Sequence, residues 1–264
     1  MYVKVNGVVI RETAFDERHA YLTLLTPGGP CEVLARGVRR KGSRLLPAVR
    51  LFTYSEFSLY EGKSGYRLQD ARVIRSFFEI SRSLDRYALG CYFAQLCQVL
   101  GEGETEAEEL LFLLLTALSA LTRPEREPAL IKAAFEMRLM AIEGFAPAME
   151  KCALCGGQEG LWQGAFLPQR GVVLCPACAQ GGGEPGARRL PLGAGVWQAV
   201  TYVLHAPVER LFAFSVGGDT RRALGRLTQE YLLEQTGQRF STLDFYRSLA
   251  AGEQTDKEKD KNDE

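Results

Sequence analysis

The sequence of 264 residues has few of the residues and motifs that catalysis uses. It contains only two histidines. Neither His19 nor His205 has a partner at the spacing of a catalytic or metal motif, and P-loop, G-x-S-x-G and H-E-x-x-H sequences are missing. The N-terminal glycines do not form a dinucleotide fingerprint. We therefore expect the chain not to be an enzyme and to have no small-molecule substrate.

Long apolar runs are also missing. The longest candidate, residues 110–121, spans 12 residues and includes two hydroxyl side chains, whereas a membrane helix needs about 20 apolar residues. Residues 1–6 lack the apolar core of a signal peptide. We therefore expect no membrane partner and a cytoplasmic protein, in which the seven cysteines would not form disulfides.

A net charge is absent as well, because 32 basic residues balance 32 acidic ones. This balance hides an asymmetry along the chain. Residues 1–80 carry 13 Lys and Arg against 8 Asp and Glu, a net charge of +5, whereas residues 253–264 carry 6 acidic residues against 3 lysines, a net charge of −3. The basic N-terminal region favours an anionic partner.

Residues 2–75 have the pattern of an all-β domain. Turn formers such as those at 27–30 and 61–65 separate five runs that are rich in apolar and β-branched residues. The predicted strands are 2–12, 19–26, 31–38, 49–60 and 66–74. Five strands in about 75 residues favour a small barrel of the OB type over an SH3-like barrel or a short sandwich.

The spacing of apolar residues becomes helical after residue 76. Helices are predicted from about residues 84 and 105, over 128–144, 194–205 and 219–235, and from residue 241. The predicted fold is α+β and multidomain. An OB-fold β-barrel (1–78) precedes an α-helical domain (79–251) that carries a four-cysteine zinc-finger insert (150–180), and the polar, charged tail (252–264) is expected to be disordered.

Four of the seven cysteines form two matched pairs. Cys152 and Cys155 form one C-x2-C pair, and Cys175 and Cys178 form another after a gap of 19 residues. Two such pairs offer four thiolates to one tetrahedral zinc ion, with a hairpin between them. The alternatives are a redox-active pair and four unrelated thiols. A site with four cysteine ligands has no open coordination position, so we expect one structural zinc ion.

A dense run of cations follows the third predicted strand. Residues 36–44 contain no acidic residue and five cations: Arg36, Arg39, Arg40, Lys41 and Arg44. Like charges at this density repel one another unless a polyanion neutralises them, and Lys and Arg bind phosphate with release of counterions. The alternative is an ordinary solvated loop. Nearby aromatic residues could stack on bases or belong to the core; they are Phe15, Tyr21, Phe52, Tyr54 and Tyr60.

Three stretches of the sequence are characteristic of a known family. The first pairs LTLLT (22–26) with ARGVRR (35–40), the second is FEMRLMAIEGFAP (135–147), which leads to CALCG (152–156), and the third combines YLLEQTGQR (231–239) with STLDF (241–245). Together they resemble the RecO family of bacterial DNA-repair proteins. The similarity extends over about residues 1–250 and is most specific in the second stretch.

This resemblance implies a recombination mediator on the nucleoid. Such proteins bind single- and double-stranded DNA, anneal complementary strands and, with RecR, help load RecA onto strands covered by single-strand-binding protein. The acidic C-terminal tail of single-strand-binding protein docks on their helical domain, and structural zinc is the cofactor. The alternative function is a zinc-stabilised module that binds protein or RNA without annealing.

The resemblance also assigns roles to residues of this chain. The main phosphate contacts would be Arg36, Arg39, Arg40, Lys41 and Arg44, with Lys4 and Arg11 as additional contacts. The partner's acidic tail would contact a helix through Lys132, Phe135 and Arg138. For these last three residues, the alternative is a purely structural role.

Overall fold

The computed structural model describes residues 1–101, 107–181 and 186–249. Contacts divide the chain into two units, of which the first comprises Met1–Pro124 and the described residues from Phe240 onwards, and the second comprises Glu125–Arg239. The predicted helix start at residue 105 and the predicted charged tail at 252–264 lie outside the described residues. No helix in the described part of the chain has both the length and the apolar character needed to cross a membrane.

Five strands of the first unit occupy the five segments that the sequence predicts to be strands. They are β1 (Tyr2–Ala14), β2 (Ala20–Thr26), β3 (Gly29–Ala35), β4 (Thr53–Gly62) and β5 (Gly65–Ser76). Every strand has two neighbours, in the order β1-β2-β3-β5-β4 with β4 paired back to β1. The β3–β5 pair is parallel, and the other pairs are antiparallel. The chain thus begins with an OB-like sheet domain, as the sequence predicts.

Side chains on the inside of this sheet form one apolar core. Alternate residues of a strand point to the same face, and the buried residues Leu22 and Leu24 of β2 meet Phe57 and Leu59 of β4 in one cluster. Val38 joins the same core from the loop that follows β3. The remaining residues of these strands face outward, towards solvent or towards helices.

Two helices and the helical residues 241–249 complete the first unit. The helices are α1 (Leu84–Leu100) and α2 (Ala107–Leu121), and both contact β1 and β2. These two strands carry Val8 and Leu25, which are fully buried outside the inner core. The sequence prediction placed these helices with the later ones. They pack on the sheet instead because its outer face is apolar at this end.

In its described residues, the second unit combines four α-helices with a small sheet. Its helices are α3 (Pro128–Ile142), α4 (Pro176–Gln180), α5 (Ala194–His205) and α6 (Gly218–Thr236), and its strands are β6 (Ala148–Cys152), β7 (Ala165–Leu167), β8 (Val172–Leu174) and β9 (Leu190–Pro191). The strands pair in the order β6-β8-β7-β9. Strands β7 and β8 form the hairpin expected between the two cysteine pairs. Helix α3 packs against both α5 and α6.

Candidate metal centre and candidate nucleic-acid interface

The two cysteine pairs of the second unit come together in one cluster. The Sγ atoms of Cys152, Cys155, Cys175 and Cys178 all lie within 4.8 Å of one another. Those of Cys155 and Cys175 are 3.8 Å apart. Four thiolates that surround a tetrahedral zinc ion at about 2.3 Å are themselves ~3.8 Å apart. The cluster can therefore hold one metal ion, with every coordination position supplied by the protein.

The first cysteine pair is shaped by a tight turn after β6. The N–H of Cys152 donates to the carbonyl of Gly157 at 2.8 Å, and the N–H of Gly156 donates back to the carbonyl of Cys152 at 2.9 Å. Gly156 adopts φ = 72°, a left-handed conformation that glycine adopts at little cost. This turn brings Cys155 beside Cys152.

The second cysteine pair is shaped by a short helix. Pro176 begins α4, and the N–H of Ala179 donates to the carbonyl of Cys175 at 2.8 Å. Residues three apart lie on one side of a helical turn. The turn therefore brings Cys178 to the same side as Cys175, facing the first pair.

Two thiols of the cluster have pKa values that are shifted in opposite directions. Burial opposes ionisation of Cys152, but backbone hydrogen bonds, led by that from Cys155, lower the pKa of Cys152 to about 6. Hydrogen bonds with Cys175 and then Cys152 raise the pKa of Cys178 to about 12. Four adjacent thiols cannot all ionise unless a cation compensates their charge. A divalent metal ion supplies that compensation.

The basic loop, residues 36–44, has one side chain in the sheet core and exposes its cations. Val38 is buried in the sheet core. The exposed cations are Arg36, Arg39, Arg40, Lys41 and Arg44. With the residues that the structure describes, none of the five forms a salt bridge. Their charge is therefore directed at solvent or at an external anion.

The backbone of the basic loop is held in a defined conformation. Gly37 and Gly42 have φ values of 68° and 79°, which allow two sharp turns. The N–H of Arg40 donates to the carbonyl of Gly37 at 3.2 Å. The N–H of Arg39 donates to the carbonyl of Arg18 at 3.1 Å, which joins the basic loop to the turn between β1 and β2.

The two additional predicted phosphate contacts lie apart from each other on β1. Lys4 is exposed and lies opposite Ser58 of β4, whereas Arg11 is exposed and lies opposite Thr23 of β2. The structure therefore brings the five loop cations together and distributes these two over different strand pairs. All seven remain predictions as DNA contacts.

The five aromatic residues that could stack on bases differ in exposure, and Tyr54 is half-buried. Phe15, Tyr21 and Tyr60 are exposed, whereas Phe52 is buried before β4 begins, with φ = 61°. Phe52 therefore does not share a strand face with Tyr60. Tyr2, which was not predicted as a site residue, is exposed, and its ring centroid lies 5.3 Å from that of Tyr60. Its alternation with Lys4 along β1 is the signal that could have identified it.

Of the three residues predicted to contact a partner's acidic tail, two are buried in the second unit and Arg138 is half-buried. Phe135 is fully buried, and Lys132 is 6% exposed with its Nζ 2.6 Å from Oε1 of Glu136. Arg138 donates through Nε to the carbonyl of Val203 at 2.9 Å. Because α3 packs against α5 and α6, Lys132 and Arg138 pair with groups of the second unit itself. The structure corrects the prediction for Lys132 and Phe135, since a docking surface requires exposed side chains, whereas the role of Arg138 stays a prediction.

The fold and the two sites define a class of protein: an α+β chain with an exposed basic loop on an N-terminal sheet and a four-cysteine centre in a second unit. Residues 1–77 match the family model described as Recombination protein O N terminal, and residues 81–244 match the one described as Recombination protein O C terminal. The chain belongs to the RecO family of DNA-repair proteins.

Relatives with the name DNA repair protein RecO match along nearly the whole chain. The one from Acetivibrio thermocellus is 30% identical over 251 residues, which is 94% of this chain and 97% of the relative. The one from Symbiobacterium thermophilum is 32% identical over 248 residues, 93% of this chain and 96% of the relative. The family resemblance seen in the sequence is thus confirmed, and it places the chain in DNA repair and recombination.

Proposed function

We propose that this chain is a recombination mediator that binds single- and double-stranded DNA, anneals complementary strands and, with RecR, helps load RecA onto strands covered by single-strand-binding protein. The observation that carries the proposal is the basic loop of a RecO-family chain, whose five exposed cations form no salt bridge with the described residues. The N-terminal sheet would act as an OB-type barrel.

The chemistry of the basic loop is suited to the phosphate backbone. Lys and Arg contacts to phosphates release condensed counterions, and these contacts carry no sequence information. A factor that anneals any complementary pair needs this kind of binding. Because annealing makes and breaks no covalent bond, the proposed function requires no catalytic residue, and the chain would not be an enzyme.

The proposal is tested by fluorescence anisotropy with a labelled single strand over a range of salt concentrations. The test variant is Arg39→Ala with Arg40→Ala, which removes two cations of the basic loop. For a single strand, the slope of log affinity against log salt changes by about 0.7 for each phosphate contact, so the slope should become shallower by about 1.4. Wild-type binding that does not weaken with salt would contradict the phosphate-contact model.

A matched control separates the basic loop from overall charge. Arg221→Ala with Arg222→Ala makes the same change in charge in the second unit, where the two side chains pair with Glu127 and Asp219. This control should keep the affinity and the salt slope of the wild type. Equal losses in both double variants would assign the effect to net charge and would remove the basic loop from the proposal.

Annealing is measured in the same samples with two complementary strands. We expect faster annealing by the wild type and slower annealing by the basic-loop variant. Binding without acceleration, or preference for RNA of equal length, would favour the alternative function of a zinc-stabilised module that binds protein or RNA.

We also propose that the metal of the four-cysteine centre is one structural zinc ion, because tetrahedral thiolate sites are typical of zinc. Metal analysis of the purified protein should find one zinc ion per chain. Cys175→Ser should lose it, whereas Cys31→Ser, which changes a cysteine outside the cluster, should keep it. An iron content in place of zinc would contradict this assignment.

Docking of the acidic tail of single-strand-binding protein stays part of the proposal, at a different place. A pocket of about 330 Å³ in the second unit is lined by apolar residues such as Ala141 and Leu204 and also by Glu150, Lys151 and His205. An acidic tail could place apolar side chains in this pocket and carboxylates near Lys151. Lys151→Glu should weaken binding of a labelled tail peptide, and unchanged affinity would place the tail elsewhere.

The partnership with RecR is tested by size-exclusion chromatography of the two purified proteins. Co-elution is expected if RecR is a partner. Separate elution at concentrations well above those used for annealing would remove RecR from the proposal.

A further inference from the structure

The outer face of the N-terminal sheet carries a row of side chains that crosses all five strands. Tyr2 of β1 lies opposite Tyr60 of β4, which lies opposite Arg67 of β5. Arg67 lies opposite Leu34 of β3, and Leu34 lies opposite Tyr21 of β2. Directly opposed residues of neighbouring strands point to the same face. These five residues therefore form one continuous row, which we name the outer row.

The outer row faces away from the core of the sheet. The residues that alternate with its members belong to the inner core; they are Leu22, Val33, Leu59 and Leu68. Successive side chains of a strand point to opposite faces. The exposures agree with this placement, because Tyr2 is 74% exposed, Tyr21 42% and Tyr60 36%.

An aromatic pair stands at each end of the outer row. The rings of Tyr2 and Tyr60 meet edge to face with centroids 5.3 Å apart, and those of Phe15 and Tyr21 do so at 5.4 Å. Phe15 is not a member of the outer row; it is the first residue after β1 and is 60% exposed. In an edge-to-face pair, one ring keeps both of its faces away from its partner. Exposed ring faces are platforms on which nucleic-acid bases stack.

Cations lie along the outer row and on one side of it. Arg67 is at its centre and donates to Oγ of Ser64 at 3.2 Å. Lys4 follows Tyr2 by two residues and Arg36 follows Leu34 by two, so both cations lie on the outer face, on the same side of the outer row. Asp70 lies on that side as well, because it pairs with Ser58, which lies opposite Lys4. The hydrogen bond from Arg39 to Arg18 joins the basic loop to the turn that carries Phe15.

The spacing along the outer row fits an extended strand. Four steps between neighbouring strands, each about 4.8 Å, separate Tyr21 from Tyr2 by about 19 Å along the sheet. Aromatic rings at both ends with cations between and beside them match a chain in which bases and phosphates alternate.

We infer that the outer row, together with Phe15, is the base-stacking track for single-stranded DNA, while Arg67 and the basic loop contact its phosphates. This inference rests on the proposed function and adds a division of labour to it. In a duplex the bases are stacked on one another and are not available to the rings. The base-stacking track therefore contributes to binding of single-stranded DNA, whereas the basic loop contributes to binding of both single-stranded and duplex DNA.

The test compares single-stranded and duplex DNA of equal length in anisotropy titrations of the full chain. The variant is Tyr2→Ala with Phe15→Ala, chosen because these are the most exposed rings of the two pairs. Stacking contributes about 1–3 kcal/mol per base, or at least about 5-fold in affinity per ring. The double variant should therefore lose at least about 25-fold in single-strand affinity and about 2-fold or less in duplex affinity, with an unchanged salt slope, because phosphate contacts set that slope.

Two further variants make the comparison specific. Phe78→Ala with Phe112→Ala removes two exposed rings of the same unit that lie outside the outer row, at 58% and 45% exposure, and should bind both DNA forms like the wild type. Tyr2→Phe with Phe15→Tyr keeps the ring faces and should keep single-strand affinity. An unchanged thermal unfolding midpoint verifies that the alanine variant is folded.

The possible failures can be told apart. If the wild type binds neither form of DNA, the proposed function fails. If the wild type binds but the alanine variant equals the Phe78 and Phe112 control, the base-stacking track fails while the proposed function stands. An equal loss on single strand and duplex would also overturn the track, because duplex bases cannot use it.

Discussion

The two sheets of this molecule are held together in different ways. Strands of the N-terminal sheet are 7 to 13 residues long and enclose their own apolar core. Strands of the second sheet are 2 to 5 residues long and lead to four cysteines. These short strands bury apolar residues such as Phe166 and Val173, but each strand supplies few of them. Small units often add disulfides or metals to such a core. We therefore expect the N-terminal sheet to be maintained by its core and the second sheet to depend in addition on its cysteine cluster.

Metal removal should have the largest effect and should break only the second sheet. Cys175→Ser, or chelation of the wild type, should abolish hydrogen-exchange protection over residues 148–181, because metal binding in isolated zinc fingers contributes about 10–16 kcal/mol to folding. The measurement is hydrogen exchange with mass spectrometry. Protection of β1 to β5 should stay unchanged, and joint loss in both sheets would contradict their independence.

The helical part of the second unit should depend on a buried ion pair rather than on metal. Glu136 is fully buried, receives a hydrogen bond from Oγ1 of Thr228 at 2.7 Å and pairs with Lys132. Glu136→Ala removes the carboxylate that lies beside a buried ammonium group, so we expect a loss of about 3–5 kcal/mol in unfolding free energy with unchanged metal content. Denaturant unfolding measures this loss.

An exposed ion pair provides the control for that prediction. Glu127→Ala removes the partner of Arg221 at the surface of the same unit, and exposed pairs contribute less than about 1 kcal/mol. A loss as large as that of Glu136→Ala would show that burial is not the cause. Loss of metal from Glu136→Ala would show that the helices and the second sheet are not separate in their stability.

In the first unit, the contact between sheet and helices should be sensitive to one added methyl group. A Cβ atom at Gly90 of α1 would lie 2.9 Å from the ring of Phe52, which is itself buried. Gly90→Ala should therefore cost about 1–3 kcal/mol through overpacking, measured by thermal unfolding. Gly225→Ala in α6 meets nothing within 4 Å and should stabilise its helix by up to about 1 kcal/mol. A neutral Gly90→Ala would show that the ring can move aside.

The smallest effect concerns the turn between β1 and β2. Asp16 accepts hydrogen bonds from the N–H groups of Arg18 and His19 at 2.7 Å. The bond from Arg18, followed by that from the His19 ring, lowers the pKa of Asp16 below its ordinary 3.8. A lowered pKa means that this contribution is present above pH 3.8 and is lost as the pH falls through the folded value.

Hydrogen exchange at single amides measures that contribution. Asp16→Asn should speed exchange at the amides of Arg18 and His19 at neutral pH, with little change in global stability. Glu17→Gln, one residue further along the same turn, is the control. Equal acceleration by both variants would show that general charge, rather than the Asp16 hydrogen bonds, orders the turn.

Much of the fold and of the metal centre could be predicted because the signals are local. The C-x2-C pairs at 152–155 and 175–178 fix each half of the site through one turn of backbone, and the hairpin between them follows from the gap. The five strands were predicted from alternation and turn residues for the same reason. The positions of α1 and α2 could not be predicted this way, because their packing partners on β1 and β2 lie more than 50 residues away in sequence.

The sequence by itself determined the family, the strand segments and the two cysteine pairs, because each is carried by short stretches of neighbouring residues. Only the tertiary structure decided that Lys132 and Phe135 are buried in the second unit, because α3 is covered by helices that follow more than 50 residues later in the sequence. It also decided that Tyr2 and Tyr60 meet on one face. That contact depends on strand register, which is set when β1 pairs with β4 across the sheet.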